Sequence, residues 1–203
     1  MRAVETATMR DVGIDQLVLM ETAGRAVAAA VARRPGAGPV ALLVGRGNNG
    51  GDGLVAARVL ASQGRDVRVY LLFARDQLSD ACRHQLAVFE RCGGVAIDPD
   101  DADVARELVD LPTGSVIVDA VFGIGQNRAL PASISAIIDA ANRATGFRIA
   151  VDIPTGLSAD SGELFGQPFA ADLTVTFAAA KLGMETAPGF LTVGEVEIAD
   201  IGI

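Results

Sequence analysis

Five residue types are scarce in this 203-residue chain: it has no tryptophan, one tyrosine, one histidine, one lysine and two cysteines. The cysteines, Cys82 and Cys92, fall ten residues apart in one helical pattern, at different heights on it, so they are expected to be reduced, with no disulfide. Without CxxC spacing or companions they make no zinc site. The formal charge of −8 and an aromatic content of 4% exclude the basic patches and stacking rings of a nucleic-acid surface. Sixteen of the seventeen basic residues are arginines, scattered singly or in pairs. No apolar run approaches the roughly 20 residues of a membrane span, and the N-terminus lacks the apolar core of a signal peptide. The expectation is a cytoplasmic protein with no membrane contact. No GxxxxGK occurs, which removes a P-loop ATPase. With Tyr70, His84 and Lys181 far apart, no tyrosine–lysine or histidine–carboxylate pair is available to move the proton of an alcohol.

Half of the residues are hydrophobic, enough for one substantial core, and residues 1–203 read as a single domain. Helical periodicity covers about Ala3 to Arg10 and Asp15 to Arg34, where Leu17, Met20, Ala23, Val27 and Val31 share a face. From Pro39 the patterns alternate: strand 40–44, helix 52–62, strand 67–73, helix 79–92 capped by Ser79, strand 95–97, helix 103–110 and strand 115–119. Helix 132–144 and strands 148–152, 172–177 and 193–198 complete the reading. Apolar strands separated by helices predict an α/β fold, a Rossmann-like three-layer α/β/α sandwich with a mostly parallel central sheet.

The densest signal is VALLVGRGNNGGDG at 40–53, an apolar strand that empties into glycines 45, 47, 50, 51 and 53. Such glycines can take positive φ and let backbone approach a ligand. The helix that follows would aim its free N–H groups and dipole at a phosphate. Asn48 and Asn49 add amides that donate to phosphate or sugar, or hold a cation through oxygen. GRGNNG also satisfies the dinucleotide pattern GxGxxG. A dehydrogenase should then carry an acidic residue at the end of its second strand. Asp76, beyond Ala74 and Arg75, fits that place loosely.

In a doubly wound sheet the ligand lies beyond the carboxyl ends of the strands. Three of those ends are unusually polar: GRGNNGGD after 40–44, Asp119 with AVFGIGQNRA, and Asp152 with IPTGLSADSGE. They would bring Asn49, Asp119, Asp152 and Thr155 to one crevice. For Asp152 the competing reading is a turn-stabilising carboxylate before Pro154, and for Asp52 a first-turn residue complementing the helix dipole. Arg128 can pair with a phosphate or remain solvated. His84 is expected to be exposed, Tyr70 to lie in the core, and Lys181 to touch substrate or backbone.

NNGGDG at 48–53, VDAVFGIG at 118–125 and VDIPTGLSADSGE at 151–163, with LMETAG at 19–24, TVTFAAAKLG at 174–183 and the closing GEVEIADIGI, resemble in order and spacing the YjeF amino-terminal domain family, the NAD(P)H-hydrate epimerases. The resemblance covers essentially the whole chain. It implies that the substrate is NADHX or NADPHX, a nicotinamide cofactor hydrated on its reduced ring. It also implies substrate contacts from Asn48, Asn49, Gly50, Gly51 and Asp52, from Gly123, Ile124, Gly125, Gln126, Asn127, Arg128 and Ala129, and from Asp152. A potassium ion would be held by Asn49, Asp119 and Thr155, the last standing where the family often has serine. Such oxygen ligands suit an alkali cation. The resemblance further implies a homodimer, with Leu17, Met20 and Val27 facing either sheet or partner. Functional coupling to an ADP- or ATP-dependent dehydratase, fused in some members, is implied too.

The damaged ring is a hemiaminal, so its carbon can invert through an iminium and re-addition of water, or by ring opening and closure. Both routes move a proton at the hydroxyl. Asp152 is the candidate acid and base; Asp119, beside a cation, would stay charged. The alternatives are an ordinary NAD-dependent dehydrogenase and a catalytically silent nucleotide-binding module.

Overall fold

The computed structural model describes residues 7–99 and 103–203. The helical pattern at Ala3 to Arg10 lies partly outside them; what is described there is a π-helical turn, Thr8–Val12, closed by Gly13 at φ 83°. Helix α1 spans Gln16–Ala32, with the Asp15 carboxylate accepting from the Leu17 N–H at its start. There follow β1 Val40–Val44, α2 Asn48–Ser62, β2 Val67–Leu71, α3 Asp80–Arg91, β3 Ala96–Ile97 and α4 Val104–Val109. Then come β4 Val116–Ala120, α5 Ala132–Arg143, β5 Phe147–Val151, β6 Leu173–Phe177, the single turn α6 Leu182–Glu185 and β7 Glu195–Ala199. All pairings between these strands are parallel, in the order β3-β2-β1-β4-β5-β6-β7. The order reverses between β1 and β4, where a doubly wound sheet opens its ligand crevice.

Strand alternation separates two cores. Leu42, Val44, Val118, Ala120, Val151 and Val175 face one side, under Met20, Val27 and Val31 of α1 and Leu54 and Leu60 of α2. Ala41, Leu43, Ile117 and Ala150 face the other, under Leu108 of α4 and Ile134 and Ile138 of α5. The connection from β5 to β6, residues 152–172, carries no helix. Helix α1 packs on α2 and β6 and so supplies part of the layer a crossover helix would have filled. That placement settles the face of α1: Met20 and Val27 are buried, and Leu17 packs against the same core. Met20 and Val27 are not left for a partner subunit, and Leu17 is only partly buried.

Two expectations about the glycine loop are corrected. Helix α2 begins at Asn48 and not at Asp52, so NNGG is its first turn and Asp52 lies beyond it. The glycines at 45, 47, 50, 51 and 53 are also absent from the positive-φ positions. Close packing requires four of them: a Cβ would fall 1.8 Å from the Val121 carbonyl oxygen at Gly45, 2.0 Å from the Gly45 oxygen at Gly50, 2.6 Å from Met20 at Gly51 and 2.5 Å from Ala120 at Gly53. Only Gly47 faces open space. Backbone meets backbone at Gly45, so nothing flexible can yield. Gly45→Ala is expected to cost about 3 kcal/mol or more, read from urea unfolding; an unchanged midpoint would contradict this packing of β1 against the β4 exit.

Candidate active site

A cleft of about 750 Å³ opens above the switch point. One wall is the start of α2, contributing Arg46, Gly47, Asn48, Asn49 and Asp52; the other is the β4 exit, Val121 to Ala129. Asp152 and Phe177 close it from β5 and β6, and Phe73 from β2. Most of the expected contacts therefore line one cavity. Gly50 and Gly51 do not: buried in the first turn of α2, they let the helix approach Gly45 and Met20. The backbone N–H groups of Asn48, Asn49 and Gly50 precede the first i→i−4 bond, made by Gly51 to Gly47, and form a positive rim. Gln126, on the facing loop, accepts from the Gly156 N–H at 2.8 Å and ties that loop to the one after β5.

Beneath the cleft lies Asp119. It is inside β4, in register with Leu43 and Ala150, fully buried, and does not line the cavity. Its carboxylate accepts from the Thr155 N–H at 2.7 Å, the Thr155 hydroxyl at 2.7 Å and the Val121 N–H at 3.1 Å. The same hydroxyl accepts from the Phe122 N–H at 3.0 Å. Burial nevertheless pushes the Asp119 carboxyl up to about 6, against the opposing pull of these bonds. Asn49 is the counterpart: both polar atoms of its amide are buried without a hydrogen-bond partner, and its oxygen faces Gly123, where a Cβ would fall 3.3 Å away. A buried amide left unpaired costs roughly 1–3 kcal/mol, so Asn49 is set for something the cleft takes up. An orphaned amide oxygen, a desolvated carboxylate and a hydroxyl are hard donors that fit an alkali cation. No cluster of three histidine, cysteine or acidic side chains suited to a metal ion occurs among the described residues.

Asp152 follows β5 and is the central residue of a γ-turn: its φ is 65°, and the Ile153 N–H donates to the Val151 carbonyl at 2.8 Å. The end of β6 repeats this, with Ala178 at φ 62° and the Ala179 N–H donating to the Phe177 carbonyl at 2.7 Å. Left-handed φ is costly for a residue with a Cβ. The second turn brings the chain back so that the Lys181 ammonium, itself buried, donates to Asp152 Oδ1, to Thr176 Oγ1 at 2.7 Å and to the Phe177 carbonyl at 3.0 Å. Asp152 Oδ2 has no hydrogen-bond partner among the described residues.

Sequence reasoning allowed Lys181 a substrate or backbone contact and missed its partner. The signal was a lone lysine in an apolar run just after a strand, where burial demands a counter-charge. Arg46 and Phe73 were also missed. The Arg46 guanidinium lies over the Phe73 ring, 5.5 Å from its centre, and Phe73 occupies the cleft wall beyond β2 where a dehydrogenase would hold a ribose with a carboxylate. Asp76 sits in an exposed turn, Arg75–Gln77. His84 is exposed, Tyr70 is buried with its hydroxyl donating to Glu107, and both cysteines are free.

A parallel, doubly wound sheet with a cleft at its switch point, a glycine-tight helix start and acidic strand ends defines an α/β protein of the Rossmann-like class. Within that class the family follows from comparison: the family model described as YjeF-related protein N-terminus matches residues 16–183, and the chain belongs to that family. It is 35% identical to the NAD(P)H-hydrate epimerase of Rhodopirellula baltica, covering 100% of this chain and 82% of that one. It is 38% identical to the NAD(P)H-hydrate epimerase of Oenococcus oeni, covering 97% and 90%. With the bifunctional NAD(P)H-hydrate repair enzyme Nnr of Moorella thermoacetica the identity is 39% over 94% of this chain, which spans only 37% of that protein. The crystal structure of yeast ynu0 superposes with a TM-score of 0.80 at 21% identity, over 97% of this chain and 84% of that one, and shows the fold to be shared.

The raised Asp119 carboxyl has a thermodynamic consequence. Between the unfolded value of 3.8 and the folded value of about 6, the folded state binds a proton that the unfolded state has lost, so this group's stabilisation is complete below about pH 4 and is lost as pH rises to about 6. In potassium-free buffer, the stability of the wild type minus that of Asp119→Asn is expected to fall by on the order of 3 kcal/mol across that window and to be flat above it. Denaturant unfolding across pH measures the difference; parallel pH curves would contradict it.

Proposed function

We propose that this chain interconverts the R and S forms of NADHX and NADPHX, as one epimerase domain over residues 1–203, in repair of nicotinamide nucleotides. The observation that carries the reading is the single cleft in which the α2 N-terminus, the 123–129 loop and the Asp152 carboxylate face one another. The family membership and the epimerase relatives of nearly equal length support it. The free N–H groups of α2 with Asn48, Arg46 and Arg128 suit the diphosphate. Asp152 moves the proton at the ring hydroxyl while the hemiaminal carbon inverts: on an iminium route it gives a proton to the departing hydroxyl and takes one from the water that re-adds, and on a ring-opening route it takes the hydroxyl proton and returns it on closure. Tyr70, buried against Glu107, and the exposed His84 lie outside the cleft lining, which together with Phe73 at the place of the ribose carboxylate weighs against a dehydrogenase.

Potassium is part of the proposal, with Asn49, Asp119 and Thr155 as the residues that would hold it. When bound it supplies a fixed positive charge beneath the substrate. A homodimer also belongs to the reading; its surface must use residues other than Met20 and Val27, and Val18 is the exposed apolar position on α1. So does a cytoplasmic role beside a dehydratase, consistent with the bifunctional relative; no described helix is long and apolar enough to cross a membrane.

The wild-type chain is expected to convert purified R hydrate to S hydrate, followed by chromatography, and Asp152→Asn to lose on the order of 10²- to 10⁴-fold in rate while retaining its fold. Wild-type turnover in that variant would remove Asp152 from the chemistry. Exchanging potassium for a bulky organic cation at matched ionic strength is expected to lower the melting temperature, and Asp119→Ala to erase the response. Equal melting temperatures for the wild type in both salts would leave Asp119 a structural carboxylate.

A further inference from the structure

We infer that Lys181 is a positioning residue for the epimerisation: it fixes the Asp152 side chain through Oδ1 and leaves Oδ2 for the cleft. The inference rests on the epimerase reading of the site and extends it to a residue outside the substrate-contact segments.

Three observations carry it. Lys181 is only 6% exposed and is absent from the cleft lining, so its ammonium works behind the reacting carboxylate. Its contacts all come from one corner: Asp152 Oδ1, Thr176 Oγ1 and the Phe177 carbonyl. The Thr176 hydroxyl and the Phe177 N–H also lie 3.4 Å from Asp152 Oδ1, so one oxygen is surrounded by donors and the other is left to the cavity. Finally, both strands that deliver the pair end in γ-turns at left-handed residues, Asp152 and Ala178. Two such conformations side by side persist only where surrounding contacts over-determine them, and the lysine joins the two turns.

The chemistry follows from the pair. The Lys181 ammonium engages one carboxylate oxygen of Asp152, and the other is the one available to the ring hydroxyl as a base. Asp152 Oδ2 takes the proton of the ring hydroxyl, the hydroxyl oxygen becomes a carbonyl as the neighbouring C–N bond breaks, and that electron pair goes to the ring nitrogen. Closure on the opposite face reverses each movement and returns the proton. Only the ring-opening route begins with a base, so the ion pair favours it over an iminium.

The test is a cycle of variants of the full chain, assayed for conversion of R hydrate to S hydrate. Lys181→Met keeps the length of the side chain and removes the charge; kcat is expected to fall roughly 100-fold, with KM within about threefold. Because Lys181 acts through Asp152, the double variant Asp152→Asn/Lys181→Met should be no slower than Asp152→Asn within about threefold. Thr176→Val retains the shape of a fully buried residue and deletes only the hydroxyl between the two charges, so it serves where Lys181→Met fails to fold; a roughly tenfold loss of kcat at unchanged KM is expected. Wild-type kcat in Lys181→Met or in Thr176→Val, or losses that multiply in the double variant, would overturn the proposal alone. A wild-type chain that converts neither hydrate would overturn the epimerase reading, and this inference with it.

Discussion

Desolvation of one carboxylate organises the active end of this sheet. Asp119 is placed inside the central strand β4, between Leu43 and Ala150, where no water reaches it. Three hydrogen bonds compensate, two of them from Thr155, and those two fasten the loop after β5 to β4. The Thr155 hydroxyl then takes the Phe122 N–H, which fixes the course of the β4 exit, and that exit is the wall against which Asn49 rests. The arrangement of the cleft thus depends on how a buried charge is satisfied, and the bonds present leave it short of full compensation.

The connection from β5 to β6 shows how fold and site share their constraints. A parallel crossover ordinarily carries a helix on the sheet face. Here those residues form the loop that binds Asp119 and begins with Asp152, and α1, from the other end of the chain, covers β6. Glycines 45, 50, 51 and 53 serve the same economy of space: Gly45 lets the β1 exit meet the β4 exit, and the other three remove a Cβ that would separate α2 from the β1 exit, α1 or β4. The start of α2 is thereby drawn down to the strand ends.

Much of this was legible in the sequence. Strand patterns, layer order and the three polar strand ends follow from periodicity and punctuation, and the Ser79 cap falls where the pattern puts it. The start of α2 was misplaced because Asn-Asn-Gly-Gly has the propensity of a turn; tertiary packing against Gly45 and Met20 makes it helical. The role of the glycines was misjudged for a related reason: composition cannot separate a need for positive φ from a need for close approach. Asp119 was expected at a strand terminus facing the crevice and lies below it, because β4 runs one residue further, to Ala120, and keeps Asp119 within the hydrogen-bonded sheet. The Asp152–Lys181 pair spans residues that no local pattern connects, and of the two left-handed turns that create it only the one at Asp152 had a turn signal; the one at Ala178 had none.

The strand ends converge on a buried carboxylate, and on the potassium proposal its charge depends on what the site takes up. Carbon-13 NMR of aspartate-labelled protein reads that charge directly, with the Asp119 signal assigned by its loss in Asp119→Asn. The account predicts an Asp119 titration near 6 without potassium, moving to lower pH when potassium is added. A titration at the ordinary aspartate value of 3.8 in both salts would contradict it.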